Sequence, residues 1–230
     1  MRCLLALLAL VPGCSDSDDP ACPSSVPGLV ACYPFAGDAR DAAGGPDGSI
    51  SGATPVADRF GRAAHAYHFD GTSHTGIAVP PNDRLPATAA ARTLVVWVHG
   101  LVATAGPFQS LANWGSAAAT DARFGLSVYG TPLQAMFTAQ DDDIRSSVAI
   151  SDSGWHQLAA TFDGTTATLY VDAIAAGTSS PRLATNGDSL VIGEKLGETD
   201  EPVNGDVDDV AIYGRALSGA ELAQLLRAKP

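Results

Sequence analysis

The groups in this chain that could do chemistry are mostly carboxylates, and their spacing is wrong for catalysis. Cleaving a glycosidic bond with retention needs two carboxyls about 5–5.5 Å apart, as Glu-x-Asp-x-x-Glu on one strand supplies. No such run occurs. Glu194, Glu198 and Glu201 stand among Gly193, Gly197 and Pro202, which is loop composition. The histidines (His65, His68, His74, His99, His156) sit in no nucleophile-elbow or His-Glu-x-x-His context. His68 alternates with Tyr67 and Phe69 and reads as a packing or surface residue of a strand. Asp141-Asp142-Asp143 reads as a solvated loop. Two aromatics at strand ends, Trp114 in Asn113-Trp114-Gly115 and Tyr129 before Gly130, are candidates to stack on a sugar ring, whereas Trp97 and Trp155 read as buried. On these grounds the chain is not expected to be an enzyme.

Asp and Glu total 25 against 13 Lys and Arg, a formal net charge of −12 over 230 residues. A surface this acidic repels phosphate backbones, so nucleic acid is not an expected partner. Nearly all the acids are Asp, a residue of turns and caps as well as a calcium ligand. The N-terminus carries an address: Met1-Arg2, an apolar run from Leu4 to Val11, then Val11-Pro12-Gly13-Cys14. The run is too short to span a bilayer as a helix. It resembles a bacterial lipoprotein signal, which implies cleavage after residue 13, acylation of Cys14 and attachment to a membrane by lipid. Ser15 is not the aspartate associated with inner-membrane retention, so the outer membrane is favoured if the cell has two. Cys22 and Cys32 then form an even pair in an exported chain and read as a disulfide. Closing a loop of about ten residues, it is worth roughly 2–3 kcal/mol in the chain-entropy account.

Residues 14–28, with Asp16, Asp18, Asp19 and several Ser and Pro, read as an acidic tether. A single domain is expected over 29–230. Its segments are short and strand-like: Leu29–Phe35, Ser49–Ser51, Ala66–Asp70, Thr93–Val98, Phe124–Tyr129, Leu133–Thr138, Arg145–Ile150, Trp155–Phe162, Thr166–Val171 and Ser189–Ile192. Strands at this spacing, without alternating helices, predict an antiparallel β-sandwich. One helix is predicted, at the end: Ser218 caps it with Glu221 three residues on, and Leu222, Leu225 and Leu226 give one apolar stripe.

The run Ala66-Tyr67-His68-Phe69-Asp70-Gly71, the pair Trp155–Gly164 and Ala167–Asp172, and the closing Gly205–Tyr213 together resemble the laminin-G-like branch of the concanavalin-A-like lectin and glucanase domains. The resemblance implies a jelly-roll sandwich and a binding module for glycan or protein ligands. It also implies a structural calcium in many relatives, with a ligand at the acidic start of the last strand. Here that place is Asp208, and Asp70 together with Asp38 or Asp41 would complete the set. Because Asp208 and Asp209 are neighbours on a strand, they are expected on opposite faces.

Overall fold

The computed structural model describes residues 22, 25–103, 108–116, 119–150, 154–186, 189–194 and 201–228. The first strands are β1 (Leu29–Tyr33), β2 (Ser49–Ser51), β3 (Thr54–Val56), β4 (Ala66–Asp70) and β5 (Gly76–Val79). The middle of the chain forms β6 (Arg92–His99), β7 (Phe108–Gly115), β8 (Arg123–Tyr129), β9 (Gln134–Thr138) and β10 (Ile144–Ala149). The last third forms β11 (His156–Phe162), β12 (Ala167–Val171), β13 (Ile174–Ser179), β14 (Leu190–Ile192), β15 (Asn204–Tyr213) and the helix α1 (Gly219–Arg227).

They build two antiparallel sheets. One runs β13-β12-β11-β6-β15-β4-β3, with β1 also paired to β15; the other runs β10-β9-β8-β7-β14-β5-β2. Alternation along each strand sends Leu94, Val96 and Val98 of β6, and Phe124, Leu126 and Val128 of β8, into the space between the sheets, where all six are fully buried. The near-continuous apolar run of β6 has a second cause. Its other face is also covered, because α1 lays Leu222 and Leu225 over Val95, Ala159 and Ala211. Ser218 caps α1 in a reciprocal box with Glu221, whose carboxyl is held down to about 2, first by the Arg215 side chain and then by Ser218.

The predicted strands and helix stand within a residue or two. β3, β5, β7 and β13 are additions. In β7 a register shift between Ser110 and Ala112 breaks the period-two alternation that sequence reading depends on. The Cys22–Cys32 disulfide is present. Packing also begins before Leu29, since Val26 is buried beside Cys22 in the cluster under the helix. Pro27 and Gly28 accept hydrogen bonds through their carbonyls from Arg215 Nε and the Gly214 N–H. The last residues of the expected tether therefore belong to the domain.

Candidate functional site

A cleft opens at one end of the sandwich, with a volume near 410 Å³. Three connections wall it: the loop before β6 with Ala89, the β11–β12 turn with Gly164 and Thr165, and the strand-linking segment Ser180–Leu183, with Phe162 at its floor. This volume lies in the range of small-ligand sites, about 300–1,000 Å³.

Each wall is fixed by hydrogen bonds to polar groups, buried at the first wall and exposed at the second. Arg92 is 0% exposed, and its guanidinium faces backbone oxygens instead of a carboxylate. Nε donates to Ala90 O (2.8 Å), Nη1 to Pro86 O (2.8 Å) and Nη2 to Ala87 O (3.1 Å) and Thr88 O (2.6 Å). Burial lowers its pKa to about 10, so it stays charged at neutral pH. Trp114 Nε1 adds a bond to the same Pro86 oxygen (3.0 Å). The β11–β12 turn is an Asx turn: Asp163 Oδ1 accepts from the Thr165 and Thr166 N–H groups (both 2.8 Å), which lowers the carboxyl pKa. The third wall crosses from one sheet to the other and is stitched at both sides, with Thr88 N donating to Thr185 O (2.7 Å) and Ala184 N to Asp121 O (2.8 Å). Ordered walls need little rearrangement on binding. The lining offers the Thr165 and Ser180 hydroxyls and the Arg182 guanidinium.

Several expected site residues lie elsewhere. Trp114 is 0% exposed and packs on Phe124 (5.0 Å between ring centroids), so it cannot stack on a sugar; its role is to anchor the cleft loop from inside. The alternation of β7 turns it inward against Phe124 of β8. Tyr129 lies on the outward face of the second sheet, half-buried, beside Phe108 and with the Arg145 guanidinium 3.8 Å over its ring. Trp97 is buried as expected. Trp155 is only half-buried and stacks on His99 (5.1 Å). His99 and His68 both bond through Nδ1 to Asp206, at 2.9 and 2.7 Å. Cys14 and Glu198 lie outside the described residues.

The carboxylates expected to hold calcium are not brought together. Among the described residues no three His, Cys, Asp or Glu side chains converge. Asp38 is exposed and pairs with Arg40 (3.4 Å). Asp70 folds onto its own turn, accepting from Thr72 N (2.9 Å) and Thr72 Oγ1 (2.7 Å). Asp41 is used up inside the first loop by the N–H groups of Cys32, Ala43 and Gly45. Asp208 is 1% exposed and faces Arg59 (3.4 Å). That residue set does not fit a hard cation.

Asp208 and Asp209 also depart from the expected alternation. β15 carries an extra residue between Asp208, which opposes Trp97, and Ala211, which opposes Val95; Asp209 takes φ 42° there. The bulge turns both carboxylates onto the Arg59 guanidinium, which lies between the rings of Phe60 (4.4 Å) and Trp97 (4.3 Å). Burial first, and then the charge of Asp209, pushes the Asp208 carboxyl up to about 9; burial also raises Asp209. Glu201 accepts from Ser110 Oγ (2.6 Å), while Glu194 lines up near Gly76 with its carboxyl raised by burial.

Sequence reading missed the cleft residues because each looks ordinary alone. The available signals were an arginine opening an apolar strand and Asp163-Gly164 at a turn; what joins them is long-range.

Two curved antiparallel sheets with a rim cleft define a lectin-like jelly-roll sandwich. The chain belongs to the Laminin_G_3 family, concanavalin A-like lectin/glucanases superfamily, whose pattern matches residues 70–223. Among curated proteins none matches. Solved structures share the fold at low identity. The binding domain of Paraclostridial Mosquitocidal Protein 1 superposes with a TM-score of 0.67 at 16% identity, over 86% of this chain and 52% of that one. Domain 4 of AbnA, a GH43 extracellular arabinanase from Geobacillus stearothermophilus, in complex with arabinotriose, gives 0.58 at 16%, over 87% and 98%. Trypanosoma rangeli sialidase gives 0.65 at 19%, over 87% of this chain and 33% of that one. The chain thus spans about half of the first of these structures and a third of the sialidase.

Proposed function

We propose that this protein is a non-catalytic recognition module that takes a glycan in the rim cleft, displayed on the cell envelope by acylation of Cys14. The observation that carries the reading is the cleft itself: near 410 Å³, lined by hydroxyls and a guanidinium, with walls ordered by Arg92 and Asp163. Hydroxyls and guanidinium N–H groups suit a polyhydroxylated ligand, and the apolar Phe162 floor suits a ring face. The family supports the ligand class. So does the arabinotriose complex of the AbnA domain. The absence of catalysis is supported by the local carboxylates, since Asp163 is engaged by its own turn.

A glycan array probed with and without chelator is the test, repeated on a Thr165→Val/Ser180→Ala double variant. Binding that survives chelation and falls at least tenfold in the variant is the expected result. Undiminished binding would move the site elsewhere, and release of reducing ends from β-glucans would end the non-catalytic reading. Mass spectrometry of membrane-extracted protein should show acyl mass on Cys14; an unmodified cysteine would remove the anchor.

A second reading, docking on another envelope protein, is favoured by one observation. Val148 of β10 and Ile174 of β13, on strands that adjoin where the sheet edges meet, are 48% and 72% exposed. Loss of an envelope-protein pull-down on Ile174→Ser, with glycan binding intact, would support it.

A further inference from the structure

The cleft's charge is opposite to that of the molecule around it. The chain carries a net −12, yet the lining residues of the cleft include one arginine and no Asp or Glu. Elsewhere four exposed or half-buried arginines are matched to carboxylates, Arg40 to Asp38, Arg62 to Asp58 (2.7 Å), Arg215 to Glu221 (2.6 Å), and Arg59 to Asp208 and Asp209, while Arg84 bonds to the Ala43 carbonyl and Arg145 covers the Tyr129 ring. Arg182 is exposed, and among the described residues its guanidinium makes no ion pair. Of the carboxylates nearest the cleft, Asp163 accepts from its own turn. Asp121 accepts the backbone N–H of Arg182 and feels its positive charge at a distance too long for an ion pair, while burial, first, and then Asp142 and Asp141 raise its pKa.

We infer that the rim cleft selects a sugar bearing a carboxylate, with Arg182 as the specificity-determining residue. The inference rests on the glycan reading above. A guanidinium that makes no ion pair among the described residues can give a planar fork of N–H donors to a ligand carboxylate, a charge-assisted bond that a neutral hydroxyl or ester cannot replace. Thr165 and Ser180 remain for the ring hydroxyls. One cation is matched to one anionic group, and the acidity of the surrounding surface disfavours a polyanion.

The test compares pairs that differ only in charge: D-glucuronic acid against its methyl ester, and D-galacturonic acid against its methyl ester. Calorimetric titration of the full chain, Arg182→Gln and the Thr165→Val/Ser180→Ala variant would be run side by side. For at least one pair, wild type should bind the acid about tenfold or more tighter than the ester. Arg182→Gln should abolish that preference by weakening only the acid, with the melting temperature unchanged because the side chain is exposed. The hydroxyl variant should weaken acid and ester alike. Equal binding of acid and ester, lost in the hydroxyl variant, would overturn the inference and leave the glycan reading standing. A preference that persists in Arg182→Gln would also overturn it, as would binding of neutral array glycans with none of the four probes bound. No binding by any array glycan or probe would overturn both.

Discussion

Buried charge sets the most specific expectations at single residues. Asp208 carries a proton when folded that it has lost when unfolded, over the interval between its ordinary range near 4 and its folded value of about 9. The native state then binds more protons than the unfolded one, so stability falls as pH rises through that interval. Asp208→Asn keeps the shape and cannot ionise. It should flatten the dependence and raise stability at pH 8 by on the order of 1–3 kcal/mol, measured by urea unfolding at pH 5, 7 and 8.5. A steeper slope in the variant would show that Asp208 is ionised beside Arg59. Arg123 gives a second case: it is 6% exposed, with Nε and Nη1 lacking hydrogen-bond partners. Among the described residues it has no ion pair, and replacing such a buried cation with an apolar side chain of similar length removes a desolvation cost, so Arg123→Met should raise the melting temperature. A fall of several degrees would reveal a partner for that guanidinium.

Elements are held by a few long-range side chains. The loop from Pro86 to Ala90 has little packing of its own in sequence and is shaped by Arg92 and Trp114. Arg92→Leu leaves those carbonyls unpaired and should cost about 3–5 kcal/mol, read by denaturant unfolding. Trp114→Phe loses one bond and leaves a small cavity in the core, so it should cost about 2–3 kcal/mol and weaken glycan binding through the loop. Ser218→Ala should cost about 1 kcal/mol by opening the capping box of α1. The strands and this cap were legible because they rest on local patterns: period-two alternation in β6, β8 and β11, and Ser218 three residues before Glu221. β7 and β13 were not, since Gln109, Ser110 and Asn113 are buried polar residues satisfied by distant groups, and β13 is an edge strand with exposed Ile174, Ala175 and Thr178.

For the whole molecule, the disulfide and the helix act together on the outward face of the first sheet. Removing both thiols (Cys22→Ser with Cys32→Ser) should cost roughly 2–3 kcal/mol and loosen Val26, seen as faster hydrogen exchange near residue 26 while the far rim is unchanged. From sequence alone came everything that neighbours along the chain decide: a two-sheet antiparallel architecture, the final helix and its cap, the cysteine pair, and the acidic balance that disfavours nucleic acid. Tertiary structure decided the rest. The inward turn of Trp114, the bulge that swings Asp208 and Asp209 onto one guanidinium, the dispersal of Asp38, Asp70 and Asp208, and the meeting of residues 89, 164 and 182 at one rim all depend on register between strands far apart in the chain. A one-residue shift in pairing reverses which face a side chain occupies, and that shift is set by packing across the sandwich.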